Sequence, residues 1–96
     1  MEVVVERVAG LDVHKASVTA CVRVPAETGE RAEQVQTFAT TVPSLLALAD
    51  WLEAHAVTQV AMEATGVYWR PVWAILEDRF ACILVNARHV KQVAVV

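Results

Sequence analysis

Short apolar runs separated by polar turns recur along the chain, and this pattern predicts β-strands more often than helices. Three such runs fall before residue 41, and the short connections between them predict an antiparallel meander. In the third run, we expect Val35 and Phe38 to face inward. Two further runs occur in the second half of the chain. The predicted strands cover residues 3–13, 17–24, 33–40, 57–62 and 80–85.

Helical periodicity replaces this pattern in the two stretches between the later strands. Pro43 is favoured in the first turn of a helix, and Thr41 just upstream is a candidate cap. Apolar residues at helical spacing then predict an amphipathic helix over residues 43–55. A second helix is expected after Thr65, which can cap it, and Pro71 predicts that this helix either kinks or begins properly near that residue.

The order of these elements predicts an α/β fold built on one mixed five-stranded sheet. The meander forms one side of the sheet, and a helix between two later strands usually makes a crossover to a parallel neighbour. With 96 residues, 56% of them hydrophobic, the chain can build the core of one domain. We expect residues 1–96 to form that domain and to be incomplete at the C-terminal end, where residues 87–96 start a third helix and stop in mid-pattern.

The charged residues restrict the possible partners. The formal net charge of -3 gives no overall basic character of the kind that marks many nucleic-acid-binding proteins. All 11 acidic residues precede Arg79, however, so residues 79–96 carry only basic charge, which could meet a phosphate backbone or form a solvated tail. No apolar run approaches the roughly 20 residues that span a bilayer, and the first residues do not resemble a secretory signal. The expected location is the cytoplasm, without a membrane partner.

Two acidic residues close apolar runs and are the main functional clue. Asp12 and Glu63 are each expected to emerge at the end of a strand. A carboxylate near an apolar core is costly unless it is paired with a counter-charge or holds a metal. If the first and fourth strands are parallel neighbours, their ends lie about 4.8 Å apart and the two carboxylates meet. Oxygen ligands of this kind suit Mg²⁺ or Mn²⁺, which can serve phosphoryl displacement.

Each acid taken alone also has a structural explanation. Asp12 lies near a turn, where an aspartate often caps its own backbone. Glu63 lies just before a predicted helix, whose N-terminal dipole stabilises negative charge. The prediction of a metal site therefore depends on the two acids lying together at the ends of two strands.

Three segments are informative as a set. They are residues 10–15 (Gly-Leu-Asp-Val-His-Lys), 62–69 (Met-Glu-Ala-Thr-Gly-Val-Tyr-Trp) and 86–91 (Asn-Ala-Arg-His-Val-Lys). In this order they resemble the N-terminal domain of the IS110 class of insertion-sequence transposases. The resemblance implies a RuvC-like fold of the ribonuclease H type and an acidic DEDD metal site, with Asp12 as its first member and Glu63 as its second. The last two acids of the family lie farther downstream, and this chain has no acidic residue after Asp78.

The resemblance implies that the chain is an N-terminal catalytic part of a DNA transposase. Asp12 and Glu63 would be catalytic and would bind Mg²⁺ or Mn²⁺ in a reaction that cleaves and transfers DNA strands. DNA is the expected partner, and the full-length family protein could also use a guide RNA and form a homo-oligomer. Because two of the four acids have no match, we expect weak metal binding and no transposition by this chain alone. The residues expected to contact nucleic acid are Lys15, Arg88, His89 and Lys91.

Two other functions fit parts of the sequence. Actin-like ATPases and sugar kinases also begin with a Gly-x-Asp strand end and a hairpin, but their turn clamps phosphate with Gly, Ser or Thr, whereas residues 13–15 here are Val-His-Lys. A non-catalytic module that dimerises through an uncovered apolar surface is the third possibility. Tyr68, Trp69 and Trp73 could stack on bases, although packing against the core explains them more simply.

Overall fold

The computed structural model describes residues 7–25 and 31–85. In these ranges five β-strands and two α-helices follow the predicted order. Their bounds are β1 Val8–Val13, β2 Ser17–Pro25, β3 Arg31–Ala39, α1 Val42–Ala54, β4 Gln59–Ala64, α2 Trp69–Leu76 and β5 Ala81–Val85. The predicted start of a third helix at residues 87–96, and the part of the first predicted strand before Arg7, lie outside the described residues.

The strand β1 lies at the centre of a single sheet whose order is β3-β2-β1-β4-β5. Antiparallel pairing joins β1 to β2 and β2 to β3, which confirms the meander. Parallel pairing joins β1 to β4 and β4 to β5, with α1 and α2 in the crossovers. The predicted mixed five-stranded sheet is therefore confirmed. Neither described helix is long and apolar enough to cross a membrane.

One face of the sheet carries both helices and the hydrophobic core. Along β1 the side chains alternate between exposed and buried, and the buried ones point toward the helices. The same alternation in β2 and β4 adds further apolar side chains to that face. The opposite face of the sheet has no helix packed on it among the described residues. The best-buried core residues are Ala9, Leu11, Val13, Val18, Ala20, Val22, Leu45, Leu48, Ala49, Leu52, Val60, Met62, Val72 and Leu76.

One inward-facing residue of the third strand was predicted correctly and the other was not. Phe38 is 8% exposed and belongs to the core, whereas Val35 is 60% exposed. Two residues three positions apart in a strand must point to opposite faces, so both could not face inward. Val35 pairs with Cys21 of β2 on the helix-free face.

The two helix starts differ in their capping. The Thr41 hydroxyl accepts a hydrogen bond from the Ser44 backbone amide at 3.4 Å, which confirms Thr41 as the cap of α1. The prediction that Thr65 caps α2 is wrong, because a turn at Gly66 with φ of +61° intervenes and the helix begins only at Trp69. Pro71 is the third residue of α2, so the helix begins near that proline, as the sequence predicted.

The guanidinium of Arg79 connects the end of α2 to α1. Its Nε donates to the Glu53 carboxylate at 2.6 Å, and its Nη2 donates to Asp50 at 3.0 Å. The hydrogen bond that Glu53 accepts from Arg79 lowers the pKa of the Glu53 carboxyl below its usual value. The three residues are exposed, so water screens the pairing and limits what it adds to stability. The charge of Arg79 is thus directed at two acids of α1 rather than at a phosphate backbone.

Replacing the fully buried Leu48 with alanine tests the assignment of the core face. The change should lower the free energy of unfolding by about 2–5 kcal/mol, because it removes apolar contacts and leaves a cavity. Leu46 lies on the same helix but is 47% exposed, so Leu46→Ala should change that free energy by no more than about 0.5 kcal/mol. Urea unfolding of both variants measures the difference, and equal losses would show that the faces of α1 are assigned incorrectly.

Candidate active site

The parallel register of β1 and β4 places Asp12 directly beside Glu63. Neighbouring strands lie about 4.8 Å apart, and directly paired residues project from the same face of a sheet. Leu11 and Met62, the preceding residues in each strand, are buried in the core, so the two acids point to the helix-free face. The structure thus brings together the two residues that the sequence singled out, at the carboxyl ends of adjacent parallel strands.

Both acids are exposed to solvent, which corrects one expectation from the sequence. The side chain of Asp12 is 61% exposed, and Glu63 is exposed as well. The described residues include no buried polar or charged side chain at all. Burial therefore gives no reason for a counter-ion at this pair, since water already solvates both carboxylates. What favours a cation is the proximity of two negative charges on one surface.

A groove of about 370 Å³ lies on the same face and includes both acids in its lining. The groove is broad because small residues line it: Gly10 of β1 pairs with Ala61 of β4, two positions before the acids and on the same face of the sheet. A Cβ added at Gly10 would meet no atom within 4 Å. Thr19 pairs with Asp12 on the β2 side, so a hydroxyl adjoins the acidic pair.

This groove was not predicted from the sequence. Strand alternation could have found it, since Gly10 and Ala61 each precede an acid by two positions and so share its face. The groove is open to solvent, so a ligand can reach the carboxylates that line it. Val85, which pairs with Glu63, closes the lining on the β5 side.

The turn between β1 and β2 places two further residues near Asp12. The ring Nε2 of His14 lies 3.1 Å from the Asp12 Oδ2. The His14 amide donates to the Ser17 carbonyl at 2.8 Å, and the Lys15 carbonyl accepts from the Thr40 hydroxyl at 2.9 Å. These bonds fix the turn, while Lys15 itself is exposed at the same edge of the sheet as the acids.

The remaining basic residues proposed from the sequence are not placed by the structure. Arg88, His89 and Lys91 lie outside the described residues. Their proposed contact with nucleic acid therefore stays a prediction.

Aromatic residues follow Glu63 closely along the chain. Tyr68 is 40% exposed, and Trp69 and Trp73 meet edge-on with 5.7 Å between ring centroids. Trp73 also packs against the hydrophobic core. The guanidinium carbon of Arg70 lies 5.7 Å from the centre of the Trp69 ring. Of the three aromatics considered for base stacking, Trp73 thus has a packing role and Tyr68 is the most exposed.

The carboxylate oxygens of the acidic pair are the kind of ligand that Mg²⁺ and Mn²⁺ prefer. Within residues 7–25 and 31–85, no cluster of three or more Asp, Glu, His or Cys side chains could hold a metal ion. Magnesium is commonly held by only one or two carboxylates and takes its other ligands from water and phosphate oxygens. Two carboxylates on an open surface match that partial ligand set and leave positions for a substrate.

Comparison with known proteins identifies the family. The family model of the IS110 DEDD transposases, described as transposase, matches residues 9–96. The chain belongs to this transposase family. This finding confirms the resemblance that the three sequence segments indicated, and it favours a transposase over an ATPase or a sugar kinase. None of the curated proteins compared with the chain matches it.

Solved structures with the same fold include two Holliday junction resolvases. Thermus thermophilus RuvC, in complex with Holliday junction substrate, has a TM-score of 0.63 and 14% identity, covering 91% of this chain and 68% of that protein. The fowlpox virus resolvase with substrate Holliday junction DNA has a TM-score of 0.58 and 13% identity, covering 90% of this chain and 68% of that protein. At such low identity these matches establish the fold, which is RuvC-like and of the ribonuclease H type.

A third similar structure is a Ppx/GppA family member from Aquifex aeolicus. Its TM-score is 0.55 at 14% identity, and the match covers 88% of this chain. The chain spans only 36% of the length of that protein. This similarity also concerns the fold alone.

Alanine substitution at the two glycines beside the acids should have opposite effects. Gly66→Ala should lower the free energy of unfolding by about 1–2 kcal/mol, because its φ of +61° is unfavourable for a residue with a Cβ. Gly10→Ala should leave that free energy unchanged or raise it by up to about 1 kcal/mol, since nothing obstructs the new methyl group. Thermal and urea unfolding distinguish the two, and a stable Gly66→Ala protein would contradict the turn geometry.

Proposed function

We propose that Asp12 and Glu63 are the first two carboxylates of a DEDD site that binds Mg²⁺ or Mn²⁺ for DNA strand cleavage and transfer. The supporting observation is their direct pairing on adjacent parallel strands, on a face that no described helix covers. Membership of the transposase family supplies the reaction class. The further ligands would come from water, from substrate and from acids that lie downstream in family members.

In this reaction the two carboxylates would position a divalent cation at one edge of the sheet. A bound divalent cation would stabilise negative charge on the scissile phosphate and orient the attacking oxygen. Asp12 and Glu63 would hold that cation, and the β1–β4 pairing places them side by side. Lys15, exposed at the same edge, contacts a neighbouring phosphate of the DNA backbone.

DNA is the partner that this site would act on. The family is a transposase family, and the similar resolvase structures were solved with Holliday junction DNA. We extend this to Arg88 and Lys91, which carry positive charge, and to His89 between them, and we propose that these residues bind the backbone of DNA or RNA. A guide RNA and a homo-oligomer belong to the same proposal for the full-length protein.

A non-catalytic dimerisation module explains fewer of the observations. Its support is the exposed apolar surface of β5, where Ile83 is 52% exposed and Leu84 is 42% exposed. Such a module has no use for two carboxylates paired beside a groove. The metal-dependent nuclease site accounts for them and for the family match.

Metal binding tests the proposed pair directly. Titration with Mn²⁺, followed by calorimetry, should show binding by the parent protein and at least an about tenfold loss of affinity in Asp12→Asn and in Glu63→Gln, because each change removes one charged ligand. Glu33→Gln is a matched control, since Glu33 is exposed, pairs with Arg23 and lies on the edge strand β3, two strands away from Asp12. If all three variants bind like the parent protein, the two acids do not form the metal site.

The catalytic role is tested in a longer transposase that contains this domain together with the downstream acids. Asp12→Asn there should abolish Mg²⁺-dependent cleavage of DNA, because the metal loses a negatively charged ligand, while circular dichroism and unfolding remain as in the parent protein. Cleavage is measured on labelled DNA substrate with Mg²⁺ and with EDTA. Unchanged cleavage by a folded Asp12→Asn protein would remove Asp12 from the mechanism.

A further inference from the structure

We propose that His14 is a positioning residue of the acidic pair: its ring holds one carboxylate oxygen of Asp12 and leaves the other oxygen to bind the divalent cation. This inference rests on the proposed function, because it concerns how Asp12 meets the metal ion. It assigns a role to a side chain that neither the metal ligands nor the DNA contacts proposed above include.

The backbone of the turn between β1 and β2 holds His14 beside Asp12. His14 follows Asp12 by two positions, so the two side chains leave the chain on the same face of the sheet. The His14 amide donates to the Ser17 carbonyl at 2.8 Å, and the Thr40 amide donates to the Ala16 carbonyl at 3.2 Å. These bonds close the turn and attach it to the end of β3, so the backbone sets the place from which the imidazole reaches the carboxylate.

The hydrogen bond between the two side chains has a defined direction. His14 Nε2 lies 3.1 Å from Asp12 Oδ2. An ionised carboxylate has no hydrogen to donate, so Nε2 carries the hydrogen and the imidazole is the donor. A ring nitrogen that donates has no lone pair to offer a cation, so His14 Nε2 is not a metal ligand while this bond is intact. The ring therefore acts on the metal ion through Asp12.

The two acids of the pair differ in how they are held. Within residues 7–25 and 31–85, His14 is the one side chain that bonds Asp12. Thr19 pairs with Asp12 from β2, but its hydroxyl is bonded to the Thr37 hydroxyl at 3.2 Å. The Glu63 carboxylate has no hydrogen bond or ion pair with another described side chain. Asp12 is thus the oriented acid, and Glu63 can adjust to the cation.

Orientation matters at this site because the carboxylate stands on an open surface. The side chains of Asp12 and His14 are 61% and 64% exposed, so packing holds neither of them in place. Hydrogen bonds from neighbouring groups orient the side chains that bind metals, and their loss commonly costs about 10- to 100-fold in metal affinity. With Oδ2 engaged by the imidazole, Oδ1 is the oxygen of Asp12 that has no partner among the described residues.

Replacing His14 tests the hydrogen bond without removing a ligand. His14→Ala should bind Mn²⁺ about tenfold more weakly than the parent protein, because Asp12 loses its orientation. His14→Gln should keep the affinity of the parent protein, since the glutamine amide can donate from about the position of Nε2. Ser17→Ala is the matched control, because Ser17 bounds the same turn and bonds His14 through its backbone carbonyl. Calorimetric titration with Mn²⁺ compares the four proteins.

A double-mutant cycle and an unfolding measurement separate positioning from a structural role. In an Asp12→Ala background, His14→Ala should cause no further loss of Mn²⁺ affinity, because the ring acts only through the carboxylate. The free energy of unfolding in urea should match that of the parent protein, since a bond between two exposed side chains adds little to stability. Parent-like affinity of His14→Ala, failure of His14→Gln to restore binding, or a further loss in the Asp12→Ala background would overturn the positioning role.

The same titrations separate this inference from the proposed metal site. If Asp12→Asn and Glu63→Gln lose affinity and His14→Ala does not, the metal site stands and the positioning role is refuted. If none of these three variants loses affinity, the metal site is refuted and the positioning role falls with it. Loss in all three, with the parent affinity kept by His14→Gln, supports both proposals.

Discussion

The parallel pairing of β1 with β4 is the interaction on which the site depends. Because side chains alternate along a strand, a slip of one residue would send one acid to the face that holds the core. The burial of Leu11 in β1 and of Met62 in β4 opposes such a slip, since the strand that slipped would have to expose its buried residue. The apolar side chains under the sheet thus set the position of two charged side chains above it, Asp12 and Glu63.

Local sequence signals were sufficient for the order of the elements and for the location of the acids. Strand-like runs ended at Asp12 and Glu63, and a helix between strands implied parallel pairing, so their juxtaposition could be expected before any coordinates existed. Features that depend on tertiary packing, such as which face of a strand is buried and where a helix begins, were harder to predict from the sequence. The helix-free face could not be deduced, so Val35 was placed inward, and the Gly66 turn displaced the helix start from Thr65.

Exposure of the acids changes the physical interpretation of the site. Buried carboxylates would demand a counter-ion in the folded protein, whereas solvated ones allow a cation to bind and leave. An open face also admits a large substrate to the groove formed over Gly10 and Ala61. The guanidinium of Arg79, which the sequence grouped with the basic end of the chain, contacts α1 and contributes to the fold instead.

A crystal structure of the protein soaked with Mn²⁺ would show directly whether Asp12 and Glu63 share an ion, because anomalous scattering locates the metal. We expect a peak between the two strands, with oxygens of both Asp12 and Glu63 within about 2.2 Å of the ion, the coordination distance expected for a small divalent cation. A peak bound by other residues, or density in which the two carboxylates diverge and share no ion, would contradict it.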